Sequence, residues 1–194
     1  IKKVLSDKLS LTAFIIVVLY FVIALLTSLG LLATDWGKEV ATSYAEPSSA
    51  VWFGADIFGR SVAMKVIKAT ETAVILGIVV SLISTIIGTS LGMVAGYFGG
   101  LIDDIIVWFM TTWASIPSIM LLIAFAFILG KGTLTVFLSL GLTSWLGLCR
   151  IVRAEVMKHR DREYVQAANA IGASNSRKII KHILPNISHL LIIN

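Results

Sequence analysis

The chain has 194 residues, of which 57% are hydrophobic and only 14% are charged. Soluble domains are usually about half apolar and about a quarter charged, so the composition excludes a disordered chain and a water-soluble enzyme. The single cysteine excludes a disulfide scaffold. Lysine and arginine outnumber aspartate and glutamate by 16 to 11, and in so apolar a chain this surplus indicates membrane topology rather than binding to nucleic acid.

Long stretches without a charged residue predict transmembrane helices, because a spanning helix needs roughly 20 apolar residues. The predicted helices lie near residues 9–32, 72–97, 105–129 and 133–150. A further apolar run follows Pro185 and contains Ile187, Leu190, Leu191, Ile192 and Ile193. Because the chain opens with Ile1 and stops inside this run, we expect it to be a fragment of a longer protein.

The spacing of these helices predicts three parts. The first is an N-terminal transmembrane anchor at 1–32, whose apolar run is too long for a signal peptide and lacks a small-residue cleavage site. An extracytoplasmic segment follows at 33–71. The helical core at 72–194 comprises three full spans, a basic loop at 150–185 and the start of a further span.

The distribution of positive charge predicts the orientation. Lysine and arginine in alternate loops sum to eleven on one side of the membrane and five on the other. The positive-inside rule therefore places the N-terminus and the loop 150–185 in the cytoplasm. The segment 33–71, with Trp36, Trp52 and Phe53 suited to the membrane interface, lies on the opposite side.

The sequence contains no recognisable catalytic or metal-binding motif. It lacks a G-x-x-x-x-G-K-[ST] phosphate loop, H-E-x-x-H and G-x-S-x-G, and its three histidines have no cysteine or carboxylate cluster at metal-ligand spacing. Apart from Arg150 at the end of the fourth, the predicted spans hold no aspartate, glutamate, lysine, arginine or histidine, which argues against an autonomous secondary transporter. Asp103 and Asp104 fall at the predicted turn between the second and third helices, where we expect solvent to surround them.

Two features of the spans predict how they pack. Small residues recur at every fourth position along the second helix. These residues are Ser84, Gly88, Gly92, Gly96 and Gly100. The row lets another backbone approach closely, and packing within the chain is favoured over a subunit interface. In the third helix Pro117 removes a backbone hydrogen bond, which predicts a kink. Together with Ser115 and Ser118, Pro117 either lines a translocation path or has a purely structural role.

The loop 150–185 carries the strongest signal. Tyr164, Ala167, Ala168 and Ile171 recur at helical spacing and predict a short helix with one small apolar face, ended by Gly172. A second short helix is predicted at 178–183, with Pro185 beginning the next span. The helix either lies on anionic lipid or docks in a groove of another protein; its shallow, alanine-rich face favours the groove.

This loop resembles the cytoplasmic loop of ABC-importer permeases, whose motif reads E-A-A, three residues, G, nine residues, I-x-L-P. Gln166-Ala167-Ala168, Gly172 and Leu184-Pro185 fall at that spacing, with Gln166 in place of the glutamate and His182 in place of the isoleucine. Two further segments resemble the dipeptide, oligopeptide and nickel branch of these permeases. They are Phe53-Gly54-Ala55-Asp56 with Gly59-Arg60, and Gly96-Tyr97-Phe98-Gly99-Gly100 with Asp103.

The resemblance implies an all-α polytopic transmembrane bundle of the type I importer kind, with about six spans in the complete protein. It implies no cofactor in this chain, since ATP and Mg would bind to a partner ATPase. The residues that it assigns to the ATPase-docking coupling helix are Glu163, Gln166, Ala167, Ala168, Gly172 and Ala173. The implied partners are two ATPase subunits, a second, non-identical permease, an extracytoplasmic substrate-binding protein and membrane lipid.

The function predicted from these observations is that of a permease subunit in the cytoplasmic (inner) membrane of a bacterium or archaeon. It would move di- or oligopeptides with ATP hydrolysed on a separate subunit, so that the chain itself is not an enzyme. Within the family, nickel or another small solute is the alternative cargo. Outside it, the alternatives are a channel or secondary transporter subunit and a non-transporting membrane scaffold.

Overall fold

A computed structural model describes residues 7–193, so the positive charges of Lys2 and Lys3 and the terminal Asn194 lie outside the described residues, as do the side chains of Ile192 and Ile193. The predicted all-α class is confirmed, and the ordered elements are helices joined by short turns and one longer segment. They are α1 (Lys8–Ser28), α2 (Val62–Phe98), α3 (Gly100–Ala114), α4 (Ser118–Leu129), α5 (Thr133–Arg160), α6 (Glu163–Ala170), α7 (Asn175–Arg177), a π-helical segment (Lys178–Ile183) and α8 (Leu184–Ile193).

Three of these helices, α1, α2 and α5, are long and apolar enough to cross a membrane. The pair α3 and α4, which meet at 86° across a short break, becomes a fourth candidate span if the two helices are counted together. The chain divides into two compact units, Ile1–Ile78 and Val79–Asn194, with the boundary inside α2.

In the first unit, α1 begins at a side-chain cap. The Asp7 carboxylate accepts hydrogen bonds from the backbone N–H of Ser10 at 3.1 Å and from its hydroxyl at 2.6 Å, which satisfies a donor that the first helical turn leaves free. Ala24 and Thr27 are buried, while most of the apolar side chains of α1 are exposed. An apolar helix with so much exposed surface is suited to contact with lipid.

The second predicted helix begins at Val62 rather than near residue 72, so the connecting segment is shorter than expected. The charged side chains in the first turns of α2 form ion pairs. Lys68 Nζ lies 2.5 Å from the Glu71 carboxylate, and Lys65 Nζ lies 2.6 Å from the Asp56 carboxylate. With 37 residues, α2 is about 55 Å long, against roughly 30 Å for the hydrocarbon core of a bilayer. The charged turns therefore fit on a part of α2 beyond the hydrocarbon.

The segment that precedes α2 is held by the Asp56 carboxylate. Its Oδ1 accepts from the backbone N–H groups of Phe58 at 2.8 Å and Arg60 at 2.9 Å, and its Oδ2 accepts from Lys65 Nζ. The hydrogen bond from Lys65, followed by the one from the Arg60 amide, lowers the pKa of Asp56 from 3.8 to about 2. The carboxylate thus ties the loop to the first turn of α2.

In the second unit, the backbones of α2 and α5 approach closely along the predicted row of small residues. A Cβ added to Gly88, Gly92 or Gly96 would lie 2.9, 2.7 or 2.6 Å from a carbonyl oxygen of α5. At the other end of the row, the Ser84 hydroxyl donates to the Gly141 carbonyl at 3.3 Å. The row therefore packs within the chain.

Gly100 is not part of this row, contrary to the sequence prediction. Helix α2 ends at Phe98, and Gly99 and Gly100 have φ values of 65° and 52°. Glycine adopts this left-handed region without the penalty that other residues incur. The two glycines therefore turn the chain from α2 into α3.

Two apolar clusters flank the contact between α2 and α5. One joins Met110 of α3 to Trp145 and Cys149 of α5, with Phe109 stacked on Trp145 at 5.8 Å between ring centroids. The other joins α5 to the segments after it through buried aliphatic side chains. Its members are Leu148, Val152, Val156, Val165, Ile183 and Ile187.

The prediction that solvent surrounds Asp103 is wrong, because its carboxylate pairs with Arg153. Its two carboxylate oxygens accept from Arg153 Nε at 2.5 Å and Nη2 at 2.6 Å, and its side chain is 13% exposed. A bidentate pair of this kind combines charge with fixed geometry. It joins the start of α3 to the later turns of α5.

The predicted third span is broken where Pro117 was expected to kink it. Helix α3 ends at Ala114, and α4 starts at Ser118 after a bend of 86°. Proline cannot donate the hydrogen bond that would continue the helix, and it occupies the cap position of α4. The break separates the two helices rather than bending one.

We expect Gly92→Ala to destabilise the protein by about 1 to 3 kcal/mol, because the new methyl group would lie 2.7 Å from the Cys149 carbonyl and 2.9 Å from Val152 Cβ. Thermal unfolding in detergent measures the effect. Gly77→Ala on the same helix is the matched control, since beyond the adjacent turns of α2 no atom of residues 7–193 lies within 4 Å of the added methyl. Equal unfolding midpoints for the two variants would contradict the close approach.

The Asp56 carboxylate should stabilise the loop only while it is ionised. Because its folded pKa of about 2 lies below the ordinary 3.8, this contribution is complete above pH 3.8 and is lost as the pH falls through 2. Hydrogen exchange at the Phe58 and Arg60 amides, corrected for intrinsic rates, should show constant protection from pH 7 to 4 and a decline below. Asp56→Asn should abolish this pH dependence and Asp35→Asn should leave it intact; unchanged protection in wild type at pH 2 would refute the role.

Candidate functional site

The candidate site is the loop between α5 and α8, and it is shorter than the predicted 150–185. Helix α5 continues through the basic residues that were assigned to the loop and ends at Arg160. Lys158, His159 and Arg160 occupy its last turn, where cations are favoured by the helix dipole. The segment outside the long helices is therefore 161–183.

Helix α6 is the predicted short helix, but the face that it buries differs from the prediction. Val165 and Ala168 are buried, whereas Ala167 is exposed and Ile171 exposes 85% of its surface. Val165 belongs to the cluster formed by α5, the π-helical segment and α8. The expected apolar face is thus split between the interior and solvent.

The residues assigned to ATPase docking are accordingly divided. Glu163, Gln166, Ala167 and Gly172 are exposed and Ala173 is half-buried, so these five remain available to a partner. Ala168 is 3% exposed, which makes it a packing residue of the chain itself. Two exposed residues of the same helix that sequence reasoning left out are Asn169 and Ala170.

Gly172 ends α6 as predicted. Its φ is 77°, its N–H donates to Asn169 at 2.9 Å, and the N–H of Ala173 donates to Ala168 at 3.0 Å. This pair of hydrogen bonds is the Schellman arrangement, in which a left-handed glycine satisfies the last helical carbonyls. The exposed end of α6 therefore has a fixed direction.

Polar contacts at the turn from α5 to α6 fix the other end of the helix. His159 Nδ1 and the Tyr164 hydroxyl lie 2.7 Å apart, and His159 Nε2 lies 3.5 Å from the Glu155 carboxylate. Partial burial raises the pKa of the Tyr164 hydroxyl. Gln166 Nε2 donates to the Asp161 carbonyl at 3.0 Å.

A groove beside α6, with a volume of about 470 Å³, was not foreseen from the sequence. Lys178 lines it and is almost fully buried, although a lysine within a basic loop is usually exposed. Lys178 Nζ donates to Asn169 Oδ1 at 3.0 Å and lies 5.8 Å from the centre of the Tyr97 ring. The nine-residue separation of Asn169 and Lys178 spans a turn, so helical periodicity could not pair them.

The candidate path residues lie at the break between α3 and α4. Ser115, Pro117 and Ser118 are all exposed, and the Ser115 hydroxyl donates to the Thr112 carbonyl of its own turn at 2.7 Å. Helix α4 buries none of its residues. The structure therefore leaves these residues accessible without joining them into a polar site.

Among residues 7–193, no group of three or more histidine, cysteine, aspartate or glutamate side chains is arranged to hold a metal ion. The first unit instead presents aromatic residues in the segment before α2. Trp52, Phe53 and Phe58 are each more than 60% exposed. Exposed aromatic side chains are enriched at membrane and protein interfaces.

Comparison with known proteins gives the same assignment as the loop motif. Residues 88–194 match the family described as binding-protein-dependent transport system inner membrane component. The dipeptide transport system permease protein DppC of Bacillus subtilis is 30% identical over 99% of this chain and 60% of its own length. The oligopeptide transport system permease proteins OppC of Escherichia coli K12 and of Bacillus subtilis are 31% and 28% identical over 95% and 93% of this chain.

The chain spans about three fifths of the length of these relatives. The family match covers more than half of the chain and includes the α2–α5 contact, the turn from α2 to α3 and the whole candidate site. The family describes membrane transport components, in agreement with the apolar helices found here. This protein therefore belongs to the family of binding-protein-dependent transport system inner membrane components.

Proposed function

We propose that this protein is the permease subunit of an ABC importer that carries peptides across the cytoplasmic membrane. The single observation that carries the proposal is α6, a short helix with an exposed face at the position of the family's coupling motif. The names of the relatives, oligopeptide and dipeptide transport permeases, support peptides as the cargo. ATP and Mg would bind to the partner ATPase.

The mechanism follows from how α6 is attached. Val165 on its inner face packs with Val152 and Val156 of α5 and with Ile183 and Ile187 of the following segments. Close-packed side chains transmit displacement because no space remains to absorb it. When the closing ATPase dimer displaces α6, α5 and α8 move with it and shift the path between inward- and outward-facing states.

The remaining partners are assigned by position. In the proposed topology α6 lies in the cytoplasm with the N-terminus, and the segment before α2 lies outside. The exposed Trp52, Phe53 and Phe58 would then contact an extracytoplasmic substrate-binding protein or the membrane interface. A second, non-identical permease would complete the path, with Ser115, Pro117 and Ser118 as candidate lining residues. Two ATPase subunits would complete the complex.

A charge at Ile171, the exposed C-cap residue of α6, should uncouple transport. We expect Ile171→Glu to reduce uptake of a labelled dipeptide at least tenfold, because a carboxylate at a docked apolar position would have to be desolvated. Uptake into cells and co-purification of the ATPase are the measurements. Ile180→Glu is the matched control, since Ile180 is also an exposed isoleucine but lies in the π-helical segment rather than at the end of α6.

Equal membrane levels of the two variants are required for this comparison. Normal uptake and normal ATPase co-purification by Ile171→Glu would refute docking through α6. Uptake of labelled nickel instead of peptide by the wild-type transporter would keep the permease assignment and replace its cargo.

The orientation can be tested by single cysteines. The native Cys149 is fully buried, so we expect little background labelling by a membrane-impermeant maleimide. Ser49→Cys, in the segment before α2, should be labelled in intact cells with an accessible outer face. Ser176→Cys, in α7, should be labelled only after permeabilisation; the reverse pattern would invert the topology.

A further inference from the structure

The groove beside α6 holds a buried cation. Lys178, at the start of the π-helical segment, exposes only 7% of its surface and forms part of the groove wall. Arg160, at the end of α5, lines the same groove together with Asp161. The groove thus presents two cations and one carboxylate.

The partners of Lys178 within the chain are weak ones for a buried ammonium group. Its Nζ has three hydrogens to donate, one of which goes to Asn169 Oδ1 at 3.0 Å, and the Tyr97 ring centre is 5.8 Å away. Tyr97 is itself fixed, since its hydroxyl donates to Asn175 Oδ1 at 3.0 Å. Across residues 7–193 no carboxylate oxygen lies within 4.0 Å of Lys178 Nζ.

Asp161, the carboxylate that lines the groove, pairs with Arg160 and not with Lys178. Arg160 Nη1 donates to the Gly96 carbonyl at 3.2 Å, and its Nε lies 3.5 Å from the Asp161 carboxylate. A buried cation without a counter-ion is unfavourable, and an opposite charge brought beside it restores the balance. The groove is therefore suited to an anionic group from outside the chain.

We propose that this groove receives an aspartate or glutamate side chain of the ATPase subunit, with Lys178 as its counter-ion; the inference rests on the proposed function. Gln166 and Asn169 line the groove and are also exposed on α6, so a protein docked on α6 reaches the groove directly. The family motif places a glutamate where this chain has Gln166. An uncharged amide there does not repel an incoming carboxylate, whereas a glutamate would.

The test is ATPase binding by the full permease, co-expressed with the ATPase subunits of its own transport system and placed in phosphatidylcholine nanodiscs. Lys178→Met removes the charge and is expected to weaken binding about tenfold or more, the loss typical of a charge-assisted hydrogen bond. Lys178→Arg should retain most of the binding. Lys181→Met is the matched control on the same segment, because Lys181 is exposed, and should change binding by less than about threefold.

A carbodiimide gives an independent readout, because it joins an amine to a carboxylate only when the two are in contact. Peptide mass spectrometry should find Lys178 linked to an acidic residue of the ATPase. Equal thermal unfolding of the variants would show that Lys178→Met is folded, and the cross-link in wild type does not depend on any variant.

The outcomes separate this inference from the proposed function. If the wild-type permease binds the ATPase, Lys178→Met binds equally well and no cross-link forms at Lys178, the groove proposal is wrong and the permease assignment stands. If Lys178→Met weakens binding only when the nanodisc contains the anionic lipid phosphatidylglycerol, the groove holds an anionic lipid headgroup and the groove proposal is wrong. If wild type does not bind the ATPase at all, both proposals fail.

Discussion

The close approach of α2 and α5 is the constraint on which the rest of the second unit depends. Because Gly88, Gly92 and Gly96 carry no side chain, carbonyl oxygens of α5 lie closer to these positions than a Cβ would allow. This contact positions α5, and α5 carries Val152 and Val156 into the cluster that holds Val165. The exposed face of α6 is thus oriented by a contact between two membrane helices rather than by its own short sequence.

Polar contacts fix the turn from α2 to α3 against α5. Arg153 holds Asp103 at the start of α3, and Arg160 donates to the Gly96 carbonyl near the end of α2. Both arginines come from the later turns of α5. The helix that leads into α6 therefore also holds the turn from α2 to α3 in place. Displacement of α6 would therefore reach α2 and α3 as well as α5.

The features predicted well from the sequence are those that depend on a few adjacent residues. Pro117 breaks a helix through its own missing N–H group, and Gly172 ends one through its own φ. The features predicted poorly depend on distant residues. The start of α2 required knowledge of the ion pair between Asp56 and Lys65, which a count of uncharged residues cannot reveal.

In the candidate site, too, the features that depend on residues distant in sequence could not be predicted. Its helical form follows from the spacing of Tyr164, Ala167, Ala168 and Ile171. The buried face of α6 is set by the packing of Val165 against Ile183 and Ile187, which come from segments further along the chain. Lys178 looked like one of several basic loop residues, and only the approach of Tyr97 and Asn169 removes it from solvent.

The π-helical segment between α7 and α8 has a consequence for how this loop can evolve. A π turn is equivalent to one residue inserted into an α-helix, and each residue of an α-helix advances the chain by about 100° around the axis. Deleting one residue from Lys178–Ile183 would therefore restore regular α-helix and rotate Ile183 and Ile187 away from Val165. Substitutions can accumulate on the exposed side of this segment, whereas changes in its length alter the rotational register between the loop and the following helix.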